Sequence, residues 1–386
     1  MRRMKLLHIC SYYIGNRLYK NMVKELAKKG LKQEVFVPVR KKELHGVNAL
    51  DQNRYPSVNY YFPHMIKKHH RYFYFQKIRK QQRVLEEQVL KKESVDLIHA
   101  HTIFSDGGTA YRIHKKHDIP YVVSVRGTDI NRFYKKALHL RPFMYKILQE
   151  AKAVVFISHA YQNYLLSMLP PKVAEGLKEK ALVIPNGIEG HWLEEGPPEA
   201  SLEEENGEKE LHHPTWLFIG VLNENKNVGS ILKALAAFTL RGENMNLKII
   251  GSGPLEEDLK KQVKSLNLED RVTFYGYVTD PEKIRRIMAT SDLFIMASHR
   301  ETFGLVYVEA LSQGLPILYS KDRGFDGFYH EGEVGYSVDP EDPKTIEAGV
   351  EKILDNYHRL RRNGKEQAKD FNWQTIAQKM MEIYES

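Results

Sequence analysis

Short apolar runs alternate along this chain with longer stretches in which apolar residues return every three or four positions. In the first half, "KLLHIC" is followed by "NRLYKNMVKELAKKG", and "VDLIHAH" by "GGTAYRIHKKH". "QEVFVPV", "PYVVSVRG", "AVVFIS" and "KALVIPNG" read as further strands, and "HAYQNYLLSML" as a helix. Buried strands alternating with amphipathic helices predict a parallel sheet wrapped on both faces. The stretch 193–213, "LEEGPPEASLEEENGEKELHH", is acidic, turn-rich and poor in apolar residues, as an interdomain linker should be. The alternation then restarts with "TWLFIG", "LKIIGSG", "VTFYGYV", "DLFIMAS" and "PILYS", and closes with a helix over about 343–362. The expected architecture is α/β, with two doubly wound, Rossmann-like parallel-sheet domains facing a cleft. Ligands in such sheets bind beyond the carboxyl ends of the strands.

Length agrees with two domains, since 386 residues exceed one comfortable core. The single cysteine, Cys10, excludes a disulfide framework and points to a reducing, cytoplasmic setting. "MRRMKLLHICSYYIG" has the basic start of a signal peptide, but its apolar patch is short and soon meets Asn16 and Arg17, so an opening strand is the better reading. No apolar stretch approaches the roughly 20 residues of a membrane span. Charge separates the halves: residues 1–190 hold 35 Lys and Arg against 15 Asp and Glu, a net of +20, and the remainder carries a net of −11. The first half is therefore expected to meet something anionic.

The densest chemistry lies in "SHRETFGLVYVEALSQGLPILYS", residues 298–320. The pattern predicts strand, turn and helix, with Gly304 at the helix start, Gly314 as the stop and Pro316 beyond. Free amides and the helix dipole at such a start favour an anion such as phosphate. Glu301 and Glu309 are carboxylates in apolar company, either paired internally or held for a ligand. A carboxylate accepts two hydroxyl hydrogen bonds, so the two glutamates suit the polyols at either end of a sugar diphosphate.

These features together resemble the retaining GT-B glycosyltransferases of family 4, whose donor signature is two glutamates separated by seven residues around "FG", here "ETFGLVYVE". "VDLIHAH", "IPNGI", "GVLNENKN", "LKIIGSGPLEEDL", "VTFYGYV" and "FNWQTIAQKMMEIY" follow in family order, so the resemblance covers nearly the whole chain. It implies an acceptor-binding domain over 1–192, with a helix at 370–386 crossing back to it, and a donor-binding domain over 214–369. It implies that Glu309 holds the ribose, Glu301 the transferred sugar, and the amides around Phe303, Gly304 and Leu305 the diphosphate. Lys226 stands against the leaving diphosphate, and Gly220, Gly251, Gly253 and Val278 border the nucleotide. The donor is a nucleotide sugar, a UDP-sugar by preference or a GDP-sugar. The enzyme is expected to be a metal-independent hexosyl- or N-acetylhexosaminyltransferase that needs no cofactor.

The sequence departs from the family at three places. Val221 replaces an arginine that relatives place near the diphosphate. Arg126 replaces a histidine; being always charged it cannot shuttle a proton, so it either binds phosphate or shapes its loop by pairing with an acid such as Asp129. Gly15 stands alone where relatives have two glycines near the acceptor or diphosphate. His99 and His101 share a strand face, and a hydrogen-bonded role near the acceptor is favoured over a metal pair. Residues 65–83, "MIKKHHRYFYFQKIRKQQR", mix basic and aromatic residues and suit either an anionic membrane surface or a solvated helix face; no nucleic-acid fold surrounds them.

The resulting expectation is a glycosyltransferase of cell-surface polysaccharide or glycolipid synthesis. Its acceptor would be an anionic glycan or a lipid-linked saccharide, with peripheral contact at the inner membrane face. The alternative is a non-catalytic GT-B subunit that binds an anionic lipid or a partner glycosyltransferase.

Overall fold

The computed structural model describes residues 4–194, 211 and 213–386. Most of the acidic stretch assigned to a linker, 195–210 and 212, lies outside the described residues. The chain divides into two compact units, one made of residues up to Ile157 with Gln162–Asn186 and Trp373–Ser386, the other of Ser158–Tyr161 and Gly187–Asn372.

The first unit is built on seven strands: β1 (Lys5–Ile9), β2 (Lys32–Phe36), β3 (Val58–Tyr61), β4 (Leu97–Ala100), β5 (Tyr121–Ser124), β6 (Ala153–Phe156) and β7 (Ala181–Val183). All pair in parallel in the order β3-β2-β1-β4-β5-β6-β7. The order reverses direction between β1 and β4, which opens a crevice at their carboxyl ends. The central strands β4, β5 and β6 are buried along their whole length, as a sheet covered on both faces requires.

Helix Trp373–Glu385 belongs to this unit. Its residues Ile376, Ala377, Met380, Ile383 and Tyr384 share one buried cluster with Met22 and Leu26 of helix Leu18–Lys28 and with Leu6, Leu97 and Val122 of the sheet. Burying side chains of that size removes enough apolar surface to hold a helix distant in sequence.

The second unit has six parallel strands: β8 (Thr215–Ile219), β9 (Asn246–Ile250), β10 (Val272–Gly276), β11 (Leu293–Met296), β12 (Ile317–Ser320) and β13 (Gly335–Val338), in the order β10-β9-β8-β11-β12-β13. Its switch point lies between β8 and β11. The two parallel-sheet α/β domains are those the alternation predicts. Two edge strands, β3 ("VNYY") and β13 ("GYSV"), were not expected, because short, partly polar edge strands lack the apolar run that marks a buried one. The closing helix is two, Pro343–Asp355 and Tyr357–Ala368, interrupted at Asn356. Among the described residues no helix is long and apolar enough to cross a membrane.

Candidate functional site

In the second unit the loops after β8 and β11 meet. After β8 the chain makes a short turn, Glu224–Lys226, capped by the Asn223 side chain, which accepts from the Lys226 amide at 3.1 Å. The loop after β11 is stitched to that turn: the His299 amide donates to the Asn225 carbonyl at 2.9 Å, and Asn225 Nδ2 donates to the Arg300 carbonyl at 2.9 Å. These bonds bring together side chains 75 positions apart. Lys226 Nζ donates to Glu301 Oε2 at 2.7 Å, and both side chains are largely withdrawn from water. Glu301 Oε1 also accepts from the Thr302 amide at 3.0 Å. Each charge neutralises the other, which avoids desolvating an ammonium alone.

Beyond Glu301 the chain enters helix Leu305–Ser312 through Gly304, whose φ of +85° is a left-handed conformation that glycine adopts without strain. A Cβ there would also stand 2.6 Å from the Tyr307 ring. Tyr307 cannot retreat, because its hydroxyl donates to the Met296 carbonyl at the end of β11. The Phe303 ring is buried against Phe328 and Phe371, so only its backbone is offered to a ligand. No side chain caps this helix, and the amides of Phe303, Gly304, Leu305 and Val306 have no acceptor among the described residues. Four free donors at a helix start form an anion-binding surface.

Glu309 lies one turn further along the same helix. Its carboxylate has no hydrogen-bond or ion-pair partner among the described residues, and burial, with a smaller contribution from Glu189, pushes it up to about 7. An acid that protonates near neutrality because burial strips most of its water is a candidate for a hydrogen-bonding ligand.

Gly251 and Gly253 follow β9. An added Cβ would lie 1.8 Å from the Gly220 carbonyl oxygen at Gly251 and 2.3 Å from the Leu222 carbonyl oxygen at Gly253, so close packing of two backbone turns already explains both glycines. Gly220 belongs to the same turn, its amide donating to the Ile250 carbonyl. Val278 is half-buried just past β10, next to exposed Tyr277. Val221 is 54 % exposed, with no cation in its place.

The first unit ends its strands differently. His8, opposite His99 in the register of β1 and β4, joins His99 and His101 in a fully buried cluster. Sequence reading paired only the last two; a histidine inside the apolar run "KLLHIC" was the available signal for the third. His8 Nδ1 and His101 Nε2 are 3.0 Å apart, His8 Nε2 meets Gln33 Oε1 at 3.0 Å, and His99 is held by the Ser124 and Tyr384 hydroxyls at 2.8 and 2.7 Å. Burial lowers all three histidines, His8 to about 4, so they are neutral. The trio could hold a divalent ion only by giving up the His8–His101 hydrogen bond.

Beside it two acids, Asp106, which sequence reading missed, and Asp129, pin the loops after β4 and β5. Asp106 accepts from the Ser11 hydroxyl at 2.5 Å and the Ser11 amide; Asp129 accepts from the amides of Arg126 and Phe104. Burial pushes Asp106 up to about 6 and Asp129 to about 7.

Asp129 therefore holds the Arg126 backbone, whereas the guanidinium has no carboxylate partner among the described residues. It donates to Asn186 Oδ1 at 3.2 Å and lies 5.4 Å from the centre of the Tyr19 ring. The expected alternative of an Arg126–Asp129 side-chain pair is thereby corrected: the acid shapes the loop through an amide and leaves the charge unneutralised. With Tyr19, His99, Ser124, Asn186 and Trp373, Arg126 lines a small cavity in this unit. At Gly15 no protein atom lies within 4 Å of a would-be Cβ and φ is not left-handed, so folding alone does not demand glycine there.

Comparison with known proteins follows the same division. Residues 201–371 match the family described as Glycosyl transferases group 1, and residues 15–190 match Glycosyltransferase Family 4. An uncharacterized glycosyltransferase of Methanocaldococcus jannaschii is 23 % identical over 77 % of each chain. The alpha-monoglucosyldiacylglycerol synthase of Streptococcus pneumoniae is 30 % identical over 60 % of this chain and 53 % of its own. Among solved structures, Anabaena HepE in complex with UDP superposes with a TM-score of 0.71 at 18 % identity, covering all of both chains.

Proposed function

We propose that this chain, a glycosyltransferase of the GT-B fold, moves a sugar from a nucleotide diphosphate donor to a hydroxyl acceptor with retention of configuration. The observation that carries the reading is the grouping, within one unit, of the Lys226–Glu301 pair, the free amides of residues 303–306 and the unpartnered Glu309. On this reading the ribose diol donates to Glu309 and draws it into the ionised form. The diphosphate docks on the helix amides and attracts Lys226, which releases Glu301 to accept hydroxyls of the sugar. The acceptor oxygen then bonds to the anomeric carbon on the face from which the diphosphate leaves. A phosphate oxygen of the leaving group takes the acceptor proton, so no enzymic base is required. Lys226 and the amides stabilise the charge that grows on the phosphate, which is where fixed donors lower a barrier most.

Arg126 is a cation without a neutralising acid, suited to an anionic group of the acceptor or of the donor diphosphate. UDP is the preferred nucleotide, in keeping with the ligand of HepE, and a lipid-linked or acidic glycan acceptor fits the positive first half and the lipid-directed relative from Streptococcus. The test is thermal stabilisation by UDP, GDP, ADP and their sugar conjugates. Selective stabilisation by one nucleotide series, lost in Glu309→Ala, is the expected result, because a ligand bound to the folded state raises stability with its concentration. No response to any of them at millimolar concentration would favour a non-catalytic subunit instead.

A further inference from the structure

We propose that the first unit docks on an anionic lipid bilayer through a basic, aromatic face assembled from two separate segments. Residues 63–85 contain seven Lys and Arg and no acid; residues 130–149 contain five and no acid. The sequence reading singled out only residues 65–83, within the first of these. The fold sets them side by side: the Phe75 ring lies 5.3 Å from Phe143, and Tyr74 lies 6.1 Å from Phe143 and 6.4 Å from Phe104, which stacks on Phe133 at 5.0 Å. Tyr74, buried, anchors the junction by donating to the Phe104 carbonyl.

What faces outward is unusual for a solvated surface. Tyr72 is 78 % exposed, Phe73 60 % and Leu138 58 %, with Phe75 also exposed. Together with Tyr164, which lies 5.3 Å from the Lys135 ammonium, these are five of the ten exposed large apolar side chains among the described residues. Around them Lys67, Lys68, Arg79, Arg132, Lys135 and Lys136 are exposed, and none has a carboxylate within ion-pairing distance among the described residues. A helix face meant only for water would present the charges without the rings.

Apolar tips ringed by unneutralised cations match the interface of a bilayer, where rings enter the acyl boundary and cations meet phosphate headgroups. Single-stranded nucleic acid also takes basic and aromatic groups, but it stacks its bases on rings in a groove, and Leu138 offers no such surface. The inference deepens the reading of a lipid-linked acceptor and rests on it for its purpose, while its test needs no donor.

The full chain would be sedimented with vesicles of phosphatidylglycerol and phosphatidylcholine, and with phosphatidylcholine alone, across a range of salt. Strong binding to the anionic vesicles, falling with salt, is expected. Lys135→Ala/Lys136→Ala should weaken it about tenfold or more at low salt and flatten the salt dependence. Tyr72→Ser/Phe73→Ser should weaken it about tenfold at every salt concentration, since the lost term is apolar. An unchanged melting midpoint and far-ultraviolet circular dichroism spectrum verify that each variant is folded. Equal binding to anionic and neutral vesicles, indifference to both variants, or a variant-sensitive affinity for a single-stranded oligonucleotide without vesicle binding would each overturn the proposal. Failure of the donor reading would show instead as lost nucleotide response with vesicle binding intact.

Discussion

Both units gather polar groups at the carboxyl ends of a parallel sheet around a switch point, yet they treat those groups in opposite ways. In the first unit nearly every one is consumed internally: His8 by His101 and Gln33, His99 by Ser124 and Tyr384, Asp106 by Ser11, Asp129 by two amides. In the second unit the helix amides and Glu309 are left without partners, and Lys226 and Glu301 hold each other with only the Met296 sulfur and the Thr302 amide beside them. A buried polar group that has no partner destabilises the fold, so leaving several together is reasonable only where a ligand will supply the missing bonds. The first unit's network ties its loops together; the second unit's gaps are what the proposed donor site would fill.

The largest expected effect tests the second half of that contrast. Lys226→Ala should reduce sugar transfer roughly 100- to 1000-fold, as removal of a charge-stabilising donor does elsewhere. It should also cost stability, about 1–3 kcal/mol, because Glu301 is left largely withdrawn from water without its cation. Steady-state kinetics with a melting curve separates the two quantities, and a large stability loss at intact turnover would reverse the assignment.

Asp129→Ala tests the first half, and its signature should be the converse. Two buried amides lose their acceptor, which costs about 2–4 kcal/mol, whereas Asp129→Asn keeps an oxygen in place and stays near wild type. Chemical denaturation measures this, and UDP stabilisation should survive in whatever fraction remains folded.

Glu309→Gln sharpens the comparison further, because it should stabilise the donor-free protein above neutral pH by about 1–2 kcal/mol while weakening the donor. The sign follows from a folded-state value raised to about 7 against the ordinary 4.5: the folded state holds its proton more tightly, so ionisation at higher pH works against folding. Donor binding draws on the ionised form, so affinity for UDP-glucose should fall about tenfold from pH 8 to pH 6 in the wild type and stay flat in the variant. Calorimetric titration at both pH values decides it.

In the first unit the pH dependence runs the other way. His8 is lowered from 6.5 to about 4, so the unfolded chain takes up the proton first, and stability present above pH 6.5 drains away as pH falls toward 4. His8→Gln should remove about 2 kcal/mol of the loss between pH 7 and pH 5, measured by denaturant midpoints relative to wild type. Asp106 and Asp129, raised to about 6 and 7, oppose that trend in both proteins and cancel in the difference. The smallest effect is expected at Val221. Because its side chain is 54 % exposed, Val221→Arg should leave stability within about 0.5 kcal/mol and improve donor affinity severalfold by adding a cation beside the diphosphate site.

By itself the sequence determined the two parallel sheets, because buried strands and amphipathic helices carry their period in the order of residues. It also determined the entry to helix Leu305–Ser312, because a left-handed Gly304 and a Gly314 stop are local backbone requirements. What it left open is everything that depends on which loops meet. Whether Glu301 is paired, that Lys226 is its partner, that Glu309 has none, and that Asp129 takes the Arg126 amide while leaving the guanidinium without a carboxylate were decided by strand order and loop stitching across many positions. His8 joined His99 and His101 through the β1–β4 register, and Phe143 joined residues 63–85 to 130–149 through ring contacts. The physical reason is range: periodicity and turn chemistry act between neighbours in the chain, whereas the charge state and partner of a side chain are set by burial and by groups that only the folded chain brings within a few ångströms.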